Sequence, residues 1–122
     1  MAWDFTKDRP IYTQIAEQIK NQIFVGKRNL GDRLPPVRDL AMEAGVNPNT
    51  MQRALAQLEQ EEIIYAERTN GRFITEDKTM LDKQKKETAR LQMNDFLEKM
   101  AAIGYDRKAT LQLLTTLTKD GE

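Results

Sequence analysis

"PPVRDLAMEAGVNPNTMQRALAQLE", residues 35–59, holds two short apolar repeats with one residue, Val46, between the glycine that ends the first and the asparagine that begins the second. Pro35 and Pro36 open the first repeat, because a fixed φ and a missing N–H suit a helix start. Val37, Leu40, Ala41 and Ala44 follow at i, i+3, i+4 and i+7, and Gly45 supplies a left-handed stop. Asn47 is then a favoured N-cap and Pro48 a favoured first helical residue. The second repeat, expected over residues 48–61, turns Met51, Ala54, Leu55 and Leu58 inward. That rotation leaves Asn49, Gln52, Arg53, Ala56 and Gln57 outward. Two helices joined by so short a glycine-containing connection read as a helix-turn-helix.

On the N-terminal side, Ile11, Ile15, Ile19 and Ile23 recur every four residues, with Tyr12, Ala16 and Phe24 widening the stripe. Pro10 suits the first position of this helix and Gly26 its stop. Residues 1–9, "MAWDFTKDR", read as an extended arm that packs Trp3 and Phe5 onto the body or carries them to a partner subunit. "KRNLGDR" is a loop with a turn at Gly31-Asp32, after which Leu34 suits a strand of one or two residues.

On the C-terminal side, "IIYAERTNGRFIT" places Asn70-Gly71 between two β-prone runs. This predicts a hairpin with strands at 63–68 and 72–75 and a type I′ turn, which needs φ > 0 at both central residues. Three helices and a two-stranded hairpin make a winged helix over residues 10–76. Residues 77–122 form a separate helical hairpin. Leu81, Ala89, Met93, Phe96, Leu97, Met100 and Ile103 share one broad face of a long helix, which Gly104 stops. Asp106 caps a second helix carrying Leu111, Leu113, Leu114 and Leu117. A piece this small does not enclose a core alone, so its stripe is covered by the first domain or by a second copy. Leu81, Met93, Phe96, Leu97, Met100, Ile103, Leu114 and Leu117 are therefore read as a homodimer seam rather than a ligand pocket. The predicted class is mainly α with a small β-hairpin: a winged helix-turn-helix followed by two C-terminal helices.

Composition narrows the chemistry. The chain has 122 residues, 31% charged and 39% hydrophobic, with neither cysteine nor histidine. Disulfides, thiolate metal sites, the commonest general base and the commonest metal ligand are all absent. Carboxylate pairs such as Asp4 and Asp8, or Glu61 and Glu62, have nothing to isolate or orient them, so an enzyme is not expected. There is no apolar run long enough for a membrane span and no signal-peptide pattern, which fits a cytoplasmic protein. Net charge is zero, and residues 1–75 alone hold ten basic and ten acidic groups. Any affinity for nucleic acid must come from local arrangement of charge, not from the average field.

The order of these pieces resembles the GntR family of bacterial transcription regulators. The resemblance rests on "PIYTQIAEQIKNQI", "GDRLPPVRDLA", "VNPNTMQRALAQLE" and the wing "NGRFI". The short tail is similar to that of the family's YtrA-type branch, in which two helices mediate dimerisation. The chain departs from the family pattern at three places. Pro36 stands where a serine usually approaches the DNA backbone, Glu62 where a glycine usually ends the recognition helix, and in the wing Thr69 and Arg72 stand where the first glycine and the threonine of Gly-x-Gly-Thr usually are.

The resemblance implies a sequence-specific DNA-binding repressor that holds a palindromic operator as a homodimer. A major groove about 12 Å wide admits one helix, and Asn or Gln pairs bidentately with adenine as Arg does with guanine. Asn49, Gln52 and Arg53 present those groups on the first two turns. Asn47 and Thr50 lie at the helix start, where free N–H groups favour phosphate, although Asn47 is equally needed as a cap. By resemblance, Arg38 approaches the DNA at a phosphate or a base, and Pro36 lies near the backbone; Arg38 pairing with Glu43 or Asp39 is the plainer alternative. Asn70, Gly71 and Arg72 at the wing face the adjacent minor groove or its phosphates, with Arg72 otherwise an ordinary cross-strand residue. The alternative function is a protein-interaction winged helix without DNA binding. The sequence calls for no cofactor and specifies no small-molecule effector.

Overall fold

The computed structural model describes residues 3–121, with side chains described through residue 119. Its elements run α1 (Ile11–Phe24), α2 (Val37–Ala44), α3 (Pro48–Gln60), β1 (Ile64–Glu67), β2 (Gly71–Ile74), α4 (Lys78–Ala102) and α5 (Arg107–Gly121). The chain forms two compact units, one ending at Asp82 and the other beginning at Lys83.

The first unit closes on the inward faces that the spacing predicts. Ile15, Ala16 and Ile19 of α1, Leu40 and Ala41 of α2, and Met51, Ala54, Leu55 and Leu58 of α3 are all buried. Ile63, Ile64 and Ile74 bring the hairpin into the same cluster, and Leu34 anchors the preceding loop. Leu81 also belongs here. Its helical spacing placed it in a dimer seam, but at 5% exposure it is part of this core, which carries the unit past the division expected at residue 76. Pro10 is the N-cap of α1 rather than its first residue. Trp3 and Phe5 pack against this core, and buried Gln14 holds the arm's backbone through Thr6 N–H, Thr6 C=O and Arg9 C=O at 2.8–2.9 Å.

The wing differs from the expected turn. Strands β1 and β2 pair antiparallel from Ile64↔Ile74 to Glu67↔Gly71, leaving a three-residue loop, Arg68–Asn70. Asn70 N–H donates to Glu67 C=O at 3.1 Å. Asn70 keeps a negative φ, since Glu62 is the one non-glycine with φ > 0 among the described residues, while Gly71 sits at φ +98. A longer loop needs a left-handed residue only where it rejoins the strand, so the type I′ turn does not form. The strand expected at Leu34 is a single bridge, Arg33↔Phe73, with Leu34 N–H donating to Arg72 C=O at 2.8 Å.

In the second unit, Asp106 caps α5 as predicted, accepting from Ala109 N–H at 2.8 Å. The apolar residues of this unit stay largely uncovered: Met93 is 58% exposed, Ile103 70% and Leu117 60%. Leu91, Phe96, Leu111, Leu113 and Leu114 are exposed as well, and Leu97 and Met100 are half-buried.

Candidate nucleic-acid interface

Helix α3 is set by its buried stripe and by its cap. Asn47 Oδ1 accepts from Asn49 N–H at 2.7 Å, and Pro48 occupies the first helical position. With Met51, Ala54, Leu55 and Leu58 turned fully inside, Asn49, Gln52 and Arg53 are exposed and Thr50 half-buried. These four residues therefore lie together on the first two turns, as the sequence predicts. The Arg53 guanidinium lies over the Tyr12 ring, 4.1 Å from its centroid. Around that stack, Pro10, Ile11, Tyr12, Asn49, Thr50 and Arg53 line a shallow groove of about 400 Å³. A cation over the face of an aromatic ring is held there by the ring's quadrupole, which limits the directions in which Arg53 points.

On α2, Pro36 is the N-cap and Arg38 is exposed in the first turn. Glu43, one carboxylate expected to compete for Arg38, pairs with Arg28 instead at 3.5 Å. Three further carboxylates of the first unit are likewise engaged away from these arginines: Glu17 with Arg9, Glu61 with Lys20, and Glu59 with Arg72. Arg33, Arg38, Arg53 and Arg68 are exposed and make no ion pair among the described residues. Exposed cations thus stand on the loop before α2, on α2, on α3 and on the wing, with Asp32, Asp39 and Glu67 beside them in the chain and likewise without an ion pair among the described residues.

Arg72 does not project from the wing tip. Its Nε donates to Glu59 Oε2 of α3 at 3.0 Å. The cause is the two-residue period of a strand: Ile74 is fully buried, so Arg72, two residues back, shares its inward face. Gly71 and Phe73 take the outer face, where Phe73 stacks on Tyr65 with ring centroids 5.9 Å apart. That alternation was available in "GRFI". The spacing of single residues did not reveal Tyr12 under Arg53, or Arg33 beside Gly71.

A three-helix domain with a capped, outward-reading third helix and a two-stranded wing defines a winged helix DNA-binding transcriptional regulator. The bacterial regulatory proteins of the gntR family match residues 11–74, and the chain belongs to that family. It is 34% identical to the uncharacterized HTH-type transcriptional regulator YhcF of Bacillus subtilis, over 96% of this chain and 97% of YhcF. It is 44% identical to the HTH-type transcriptional repressor YtrA of the same organism, over 56% of this chain and 52% of YtrA. A solved GntR family regulator from Listeria monocytogenes superposes with a TM-score of 0.84 at 36% identity, covering 92% of this chain and 98% of that one. Among the described residues, no helix is long and apolar enough to cross a membrane.

Proposed function

We propose that this regulator is a cytoplasmic repressor that binds a roughly palindromic operator as a homodimer. Helix α3 enters the major groove, where Asn49, Gln52 and Arg53 meet base edges. Asn47, Thr50, Pro36 and Arg38 face phosphates, and the wing tip at Asn70-Gly71 lies along the adjacent minor groove or its backbone. Half-sites lie about one helical turn apart, roughly 34–36 Å. The observation that carries the reading is the split on α3, with four apolar side chains fully inside and three base-pairing side chains outside. The uncovered apolar side chains of α4 and α5 support the homodimer, because a second copy is the simplest cover for a symmetric seam. The repressor name of YtrA supports the direction of regulation.

Selection of binding sites from random duplex DNA tests this reading. The wild type is expected to enrich a palindrome. Arg53→Ala is expected to lose about 1–3 kcal/mol at one symmetric position and to relax the preference there. Recovery of no enriched sequence by the wild type would turn the reading toward a protein-interaction module.

A further inference from the structure

We infer that Arg33, on the loop that bridges to the wing, supplies the wing's contact with a DNA phosphate, and that Arg72 is a positioning residue. The inference rests on the DNA-binding reading above and names a contact within it. Arg33 pairs through its backbone with Phe73, which puts its side chain on the outer side of the hairpin with Gly71 and Phe73. There the guanidinium lies directly against the wing: a Cβ added at Gly71 would meet Arg33 Nε at 3.1 Å and Nη2 at 3.4 Å. Glycine at this position leaves the space that the guanidinium fills. Its cation is exposed and unpaired among the described residues. Glu67, the residue opposite Gly71 in the register, accepts instead from Asn70 Nδ2 at 3.3 Å.

Arg72 has the opposite arrangement. Its side chain is 21% exposed and is bonded to Glu59 on the recognition helix, so it ties β2 to α3 and sets where the wing stands. Arg68, in the wing loop itself, is a second exposed cation without an ion pair among the described residues; the guanidinium that lies against Gly71 is that of Arg33. Arg33 offers five N–H donors already laid on the turn, which suits bidentate contact with a phosphate.

Salt dependence separates the two roles, because a protein that neutralises one phosphate fewer has a slope of log K against log salt shallower by about 0.9. Affinity for the duplex recovered by selection, and for a scrambled duplex, is measured across a salt series for the full chain. Arg33→Gln is expected to flatten the slope by about 0.9 per bound protomer on both duplexes, and Arg33→Lys to keep it. Arg72→Gln is expected to weaken binding with the slope unchanged. Thermal melting of each variant confirms that the domain is folded. A wild-type slope in Arg33→Gln, with the wild type still binding its selected site, overturns this inference alone. Transfer of the slope change to Arg72→Gln overturns it equally. Failure of the wild type to bind either duplex overturns the DNA reading and this inference with it.

Discussion

The Arg53 guanidinium sits over the Tyr12 ring, and the consequence is orientation rather than added charge. An exposed arginine samples many rotamers, and ordering it on binding costs free energy. A ring 4.1 Å below the guanidinium removes part of that freedom before DNA arrives. An exposed cation–π contact contributes about 0.5–1 kcal/mol. Tyr12→Ala is therefore expected to weaken binding to the selected duplex by about 2–5-fold, whereas Tyr12→Phe keeps the ring and the affinity. Fluorescence anisotropy at fixed salt reads both, and an equal loss in the two variants would assign the effect to the hydroxyl instead. Nothing in the sequence announces this pair. Tyr12 reads only as a broadening of the α1 stripe, because contacts between distant helices depend on how the helices cross. The outward aim of Asn49, Gln52 and Arg53 was legible, since it follows from periodicity within one helix.

Helix ends show the same division between local and distant causes. Four helices finish with one backbone pattern, in which the residue after the stop reaches back five positions and the stop residue itself bonds a carbonyl inside that loop. Lys27 bonds Gln22 and Gly26 bonds Ile23; Val46 bonds Ala41 and Gly45 bonds Met42; Tyr105 bonds Met100 and Gly104 bonds Ala101. At the end of α3, Ile63 bonds Leu58 and Glu62 bonds Glu59, each at 3.0 Å. Three of these stops are glycine, with φ between 73 and 99, and the fourth is Glu62 at φ 64. A side chain in that conformation costs roughly 1–2 kcal/mol. Glu62→Gly is therefore expected to stabilise the winged domain by about 1 kcal/mol and to raise its Tm by about 4–8 °C. Thermal denaturation followed by circular dichroism checks it, and an unchanged or lowered Tm would show that the Glu62 side chain contributes elsewhere. The glycine stops and the Asn47 cap are readable because they satisfy backbone groups a few residues away. The wing turn is less so. Asn-Gly favours a two-residue turn locally, but the register from Ile64↔Ile74 to Glu67↔Gly71 gives the loop three residues.

At the scale of the whole molecule, the tail has two roles that periodicity alone runs together. Leu81 and the later apolar residues share one helical stripe in sequence, yet Leu81 is 5% exposed in the winged domain's core while Met93, Ile103 and Leu117 lie open. The stripe is continuous because a helix passes from one unit into the next; its burial partners change on the way. A truncation therefore has to be placed with care. A chain ending at Asp77 loses Leu81, whose burial is worth about 1.5–3 kcal/mol, and its melting point is expected to fall with the dimer seam. A chain ending at Lys86 keeps Leu81 and is expected to melt as a folded winged domain. That longer fragment isolates the seam. It should sediment as a monomer and bind a full palindrome about 10²–10⁴-fold more weakly than the intact chain, because the second half-site is no longer held at high effective concentration. Its affinity for a single half-site should stay near that of one intact protomer. Sedimentation of the Lys86-terminated chain as a dimer would place the subunit contact inside the winged domain and withdraw the tail from that role.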